Sequence, residues 1–286
     1  MPVDGNRPRH PLPDRPLWWQ WPTVLSFDAA VVVVAWQWLI ARSAGVAIGW
    51  MHAAVLGLSV WVAYTADRWI ESWRLVNGPV LTARHRFHQQ HRWTMLGAMG
   101  AALVVDVGLA LQYLDEGDLL VGGCLTAAVL AYLLSHQWLH RHASWRAPKE
   151  VVIATLLAAG VWLFVRDAGA GRLAWPLGLF WLLCLVNCVL ISRWEAPVDR
   201  QQGQTSIALQ LPRLARFIPA APWLVAVLAA VVLLLGSPRL VPVAASALGA
   251  ALLLGIVDRL EPRTGWRPAR VAADAALLTP LFWLLS

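Results

Sequence analysis

The chain is predicted to be all-α: a polytopic membrane protein of about nine transmembrane helices in a single bundle. Three observations lead there. Hydrophobic residues make up 59% of the 286 and charged residues only 14%, with a mean hydropathy of +0.58, which excludes an ordinary soluble domain. The apolar residues collect into runs of about the length a spanning helix needs. The basic residues fall in short loops between those runs, and almost all of them on alternate loops.

Taken in order, the candidate spans are Thr23–Ile40, Val46–Ala66, Trp93–Leu114, Leu119–Leu139, Val151–Val165, Leu173–Ile191, Ile218–Leu235, Leu240–Val257 and Val271–Ser286, of which the fifth and ninth are short. Residues 1–22 are polar and proline-rich, with neither the apolar region nor the cleavage site of a signal peptide, and read as a cytosolic arm leading to the membrane. Residues 23–286 then form the transmembrane helical domain, with its active-site loops on the cytosolic side. Placing the N-terminus in the cytosol puts all of the 23 lysines and arginines inside except Arg42, Arg166, Arg172 and Arg239, as the positive-inside rule requires. The net charge of +7 is therefore a topology signal and not a nucleic-acid footprint. The lipid bilayer is the expected surrounding, in an inner or plasma membrane.

Three cysteines, Cys124, Cys184 and Cys188, all lie in apolar runs and give no disulfide framework. Many of the 19 tryptophans, among them Trp18, Trp50, Trp93, Trp175 and Trp194, fall near span ends and read as an aromatic belt at headgroup level. The loops are unequal. Outer connections such as "DEGD" and "GSPR" are minimal turns, whereas the inner ones are long, and the two longest carry acids at helical spacing.

Extending the second span as a helix puts Asp67 and Glu71 at i and i+4, on one face. The segment "SRWEAPVDRQQGQTSIA" after the sixth span repeats the arrangement with Glu195 and Asp199, and in each pair an arginine, Arg68 or Arg200, directly follows the aspartate. One such pair is a common solvated helix end; two on equivalent loops, four helices apart, are harder to dismiss. Four carboxylates converging near lipid need cations to stay ionised. Hard divalent ions take oxygen ligands, and Mg2+ completes its shell with waters and substrate phosphates, so the candidate metal ligands are Asp67, Glu71, Glu195 and Asp199.

These features resemble the UbiA superfamily of intramembrane prenyltransferases. The likeness rests on nine spans, a cytosolic N-terminus, acidic motifs after spans two and six, and "EAPVDRQQGQTSIA", which matches that family's acidic, Asp-Arg, Gly and Thr pattern through Glu195, Asp199, Arg200, Gly203 and Thr205. The stretch "AYLLSHQWLHRHASWRAPKEVVIATLLAAG" is similar to the family's fourth-span tyrosine, polar loop and following helix. The sequence departs from the family where Ala63 replaces an Asn, where Tyr132 is followed by His136 instead of a Lys, and where "TARHRFHQQHRW" replaces an Arg-Pro segment. The resemblance implies transfer of an isoprenyl group from its diphosphate, with Mg2+, to a hydrophobic aromatic or lipid acceptor. Asp67, Glu71, Glu195 and Asp199 would be catalytic, and Arg68, Arg74, Arg84, Arg86, His85, His88, His91, Tyr132, His136, Lys149 and Arg200 would bind substrate.

The histidine loop admits other readings. His85, His88 and His91, with Arg84 and Arg86, are suited to receive phosphate oxygens, or the loop is an interfacial basic helix drawn to anionic lipid. With His136, His140 and His142 the same residues also resemble the histidine boxes of di-iron membrane oxidoreductases. A non-catalytic UbiA-like lipid- or isoprenoid-binding protein is a further alternative. A secondary transporter, with polarity near midplane, fits poorly with polarity gathered at one face. Deeper in the spans, Asp28 reads as the partner of an arginine at the rim, Asp106 as an intramembrane acid to be explained, and Gln37, Gln112 and Asn187 as interhelical hydrogen-bonding residues. The last inner loop, "DRLEPRTGWRPAR", reads as a surface loop that lids the site.

Overall fold

The computed structural model describes residues 16–74, 82–135 and 148–285. The described elements are helices: α1 (Phe27–Ala44), α2 (Trp50–Arg74), a short crosspiece α3 (Ala83–Gln90), α4 (Arg92–Tyr113), α5 (Glu116–Leu134), α6 (Lys149–Leu163), α7 (Ala170–Gln201), α8 (Ala221–Leu235), α9 (Val241–Thr264), α10 (Trp266–Ala276) and α11 (Leu281–Leu285). Six are long and apolar enough to cross a membrane, namely α1, α4, α5, α7 and the segments that end in α8 and α9. Helix α2 has the length, at 25 residues, but ends in the charged run that contains Asp67, Arg68 and Glu71. Helix α6 has only 15 residues, and the ninth predicted span is broken between α10 and α11.

Helices α1 and α7 occupy the centre: α1 packs on α2, α6, α7, α9 and α10, and α7 on α6, α8, α9 and α10. Their inward faces supply the largest fully buried side chains, with Trp36 stacked on Phe180 at 5.3 Å between ring centroids. The Trp36 indole donates to the Leu277 carbonyl at 2.9 Å, which satisfies a backbone acceptor left open where α10 stops. Helices α4 and α5 lie at the periphery and expose Val104, Leu111 and Leu120, a face that suits lipid. Helix α9 approaches α8 closely at Gly255, where a Cβ would stand 2.6 Å from the Trp223 ring, and its small residues Ala244, Ala247 and Ala251 are fully buried. Close approach of this kind is how apolar helices associate in a membrane, where lipid tails compete for every larger side chain.

Two glycines set the ends of the helices that carry the site. Gly203, at φ +65°, ends α7 and lets the Gln204 N–H reach back to the Asp199 carbonyl at 2.8 Å, the left-handed cap that glycine adopts without cost. Gly265, at φ 86° and ψ 162°, joins α9 to α10 with no intervening residue, in a region that essentially only glycine occupies. The predicted lid over the site is therefore two helices meeting at one glycine. Asp258, assigned to that lid, is instead buried on α9, accepting from Arg193 at 2.5 Å and from the Trp194 indole at 2.9 Å. Trp194 consequently belongs to the core rather than to the aromatic belt, while Trp18, Trp50, Trp93 and Trp175 are exposed as a belt requires.

Candidate active site

At the charged end of the bundle a cavity of about 130 Å³ opens between α1, α2, α6, α7 and α10. Helical periodicity selects its lining. Tyr64, Asp67, Arg68 and Glu71 on α2 are spaced i, i+3, i+4 and i+7, and Cys184, Asn187, Cys188, Ile191, Ser192, Glu195 and Asp199 on α7 follow the same stripe. Both acid pairs expected from the sequence thus face one space. Arg68 enters it as well, 5.9 Å over the Tyr64 ring. Arg200 does not: one residue past Asp199 it is turned by about 100° and is exposed.

Arg84 enters from the crosspiece α3, which lies across the end of α2. Thr82 caps that helix, and Gln89 Nε2 donates to the Ser72 carbonyl at 3.0 Å while Trp69 Nε1 donates to the Arg92 carbonyl at 3.0 Å. His85 and His88 form the buried underside of the crosspiece and are fully inaccessible. The Glu71 carboxylate can only accept, so His85 Nε2 carries the proton and donates it to Oε2 at 3.1 Å, which leaves Nδ1 of the neutral ring to accept from the Thr82 hydroxyl at 2.8 Å. His88 Nε2 donates to the Val24 carbonyl at 3.2 Å. Burial pushes both imidazoles below their ordinary pKa, His88 to about 4, with neighbouring Arg68 and Arg84 adding to the shift. They are neutral at physiological pH and position α3 and Glu71 without lining the cavity. His91 ends α3, stacked on Phe87 at 4.4 Å. Arg86 likewise stands outside the cavity, and Tyr132 is close to Asp67 and Glu71 without lining it. His136, His140 and His142 lie outside the described residues, as does the side chain of Arg74.

Glu195 is committed to two guanidiniums. It accepts from Arg84 at 3.1 Å and from Arg270 at 2.7 Å on each carboxylate oxygen, with its side chain only 5% exposed. Burial, reinforced by Arg270 and opposed by Glu195, brings Arg84 down to about 10, so it remains charged. Burial alone would raise Glu71, but the His85 hydrogen bond and nearby Lys149 hold it well below the usual carboxylate range. Lys149 has Glu71, Asp199, Glu150 and Asp67 around it, yet none of the described carboxylates is within ion-pair distance of it.

Several lining residues were not identified from the sequence. Arg270 was assigned to a surface loop, although its i+4 spacing to Asp274 on α10 signals a shared face. Glu150, directly after Lys149, is buried; its Oε1 accepts from the Ile207 N–H at 2.9 Å, and its Oε2 has no partner among the described residues. Asp28 lines the cavity rather than pairing directly with an arginine among the described residues, although Arg270 is near. Other assignments lie away from the site. Asp106 accepts from Ser59 at 2.6 Å across α2 and α4, and Gln37 is fully buried with neither amide atom bonded among the described residues. Cys184 and Cys188 are free thiols in the cavity wall.

The lining carries seven acids, Asp28, Asp67, Glu71, Glu150, Glu195, Asp199 and Asp274, against four cations, Arg68, Arg84, Lys149 and Arg270. Among the described residues no three His, Cys, Asp or Glu side chains converge closely enough to hold a metal on their own. Mg2+ does not require that, since it retains several waters and binds through one or two carboxylates plus substrate phosphates. The excess of acids, with Asp67 of α2 and Asp199 of α7 lining the same cavity, fits such an ion; Glu195 is the member already satisfied by arginine.

No family profile matches the chain, and no curated protein matches it. Among solved structures, the apo structure of a UbiA homolog from Aeropyrum pernix K1 superimposes on it with a TM-score of 0.56, covering 91% of this chain and 99% of that one at 14% identity. At that identity the likeness concerns the course of the backbone, and it shows that this chain has a UbiA-like fold.

Proposed function

We propose that the protein is an intramembrane prenyltransferase that moves an isoprenyl group from its diphosphate to a hydrophobic acceptor, with the charged end of the bundle on the cytosolic side. The observation that carries the reading is the convergence of both acid pairs, Asp67/Glu71 and Glu195/Asp199, on one cavity with Arg68, Arg84, Lys149 and Arg270. Asp67, Glu71 and Asp199 are the residues that would hold Mg2+, which when bound supplies charge neutralisation for the departing diphosphate. The arginines and Lys149 donate to phosphate oxygens, where forked guanidinium hydrogen bonds give both energy and orientation. Glu195 keeps Arg84 and Arg270 aimed at the same point. His85 fixes Glu71, and the apolar wall of Val32, Ile153, Leu157 and Leu277 keeps water from the allylic carbon as its bond to oxygen breaks.

The test is binding of farnesyl diphosphate to the purified full chain in detergent, with Mg2+ and after its removal by EDTA. Mg2+-dependent binding that falls tenfold or more in Asp67→Asn and Asp199→Asn is expected. Binding that ignores both EDTA and the two variants would sink the reading. Mg2+-dependent binding with no transfer to any lipid of a membrane extract would instead indicate a lipid-binding protein.

A further inference from the structure

Below the charged layer the cavity has a second polar layer. Asn187 lies eight residues, about 12 Å, deeper than Glu195 along α7, and Asp274 lies one turn deeper than Arg270 along α10. Asn187 Nδ2 donates to Asp274 Oδ1 at 2.8 Å, which fixes the amide orientation and directs Oδ1 elsewhere. That oxygen is inaccessible and has no partner among the described residues, on a side chain only 8% exposed that lines the cavity. Asp28, whose Oδ1 accepts from the Ala29 N–H at 2.9 Å, lines the same cavity as Asp274. A buried acceptor without a donor is costly, and this one shares its space with two carboxyl groups that are acceptors when ionised.

We infer that Asp28, Asn187 and Asp274 form a subsite for the acceptor, and that the acceptor presents a hydroxyl group. This rests on the prenyltransferase reading and adds to it the chemistry of the second substrate. An alcohol O–H donates to a carboxylate oxygen of Asp28 or Asp274, both of which line the cavity, and is nucleophilic without first losing a proton. An ammonium must lose one before it can attack. A bare ring carbon has no hydrogen to donate and leaves the layer unsatisfied. In the step itself, the acceptor oxygen bonds to the allylic carbon and the bond from that carbon to the diphosphate oxygen breaks, its electron pair leaving on the diphosphate. The hydroxyl proton passes to the Asp274 carboxylate. Asp274 is thus assigned as a catalytic base, with Asn187 holding it in place.

The test compares binding of geraniol and geranyl methyl ether, which differ only in the donor hydrogen and a methyl group, to the full chain by native mass spectrometry. Wild type is expected to prefer geraniol about tenfold or more, on the scale of one hydrogen bond to a charged group. Asn187→Leu and Asp274→Leu, each checked by thermal unfolding, should reduce that preference to within twofold; Asp28→Asn serves if either fails to fold. A wild type without preference, or a preference that survives the folded variants, overturns the inference. Loss of Mg2+-dependent farnesyl diphosphate binding in wild type, with the geraniol preference intact, overturns the prenyltransferase reading and leaves the hydroxyl subsite standing.

Discussion

Replacing Glu195 with glutamine isolates the arrangement on which the site depends. The carboxylate sits between Arg84 and Arg270, whose side chains are 11% and 13% exposed, so neutralising it leaves two desolvated guanidiniums without their shared counter-charge. Breaking a buried ion pair by removing one partner costs about 3 to 5 kcal/mol. The glutamine oxygen still accepts one hydrogen bond, which returns about 1 kcal/mol. The expected net loss is about 2 to 4 kcal/mol, read as a shift in reversible SDS unfolding of the purified protein. Inorganic diphosphate should restore part of that loss, because the anion replaces the missing charge between the same arginines. Arg200→Gln serves as the control, since Arg200 is exposed beside the site and should change stability by about 0.5 kcal/mol or less. A Glu195→Gln protein no less stable than the Arg200→Gln control would refute the reasoning.

Other outcomes follow from the same geometry. His88 has a folded pKa depressed to about 4, so the unfolded chain binds the extra proton first; its stabilisation is complete above about pH 6.5 and is lost as pH falls toward 4, by about 3 kcal/mol. His88→Gln should flatten that part of the stability profile, and an unchanged profile would remove His88 as its source. Gly265→Ala meets no atom within 4 Å of the added Cβ, yet its backbone angles should cost about 1 to 3 kcal/mol and loosen the Arg270 contact with Glu195. A Tm equal to wild type would contradict this. On a cysteine-free background, single cysteines at Glu116 and Ala168 should label from outside the cell, and at Gln89 and Gln202 only after permeabilisation; the reverse pattern would invert the orientation.

By itself the sequence determined the helical class, most of the spans and the pairing of acids on two of them, because apolar length and i, i+4 spacing are local properties of a helix. It also located Arg84, in the polar stretch after the second span. What it left open at His85 and His88 was direction. A histidine in a basic loop reads as a phosphate donor until the fold lays that loop across α2 and turns both rings underneath, onto Glu71 and the Val24 carbonyl. Arg200 and Arg68 each follow an aspartate, and only the rotation of each helix about its axis decides that one faces the cavity and the other does not. Glu195 and Arg270 are 75 residues apart, and no pattern within either segment records that they meet. Their pairing depends on Gly265 turning α10 back against α7. That contact, like the buried layer of Asp28, Asn187 and Asp274, is long-range, and such contacts are settled by packing, whereas charge spacing along one helix is settled by its own geometry.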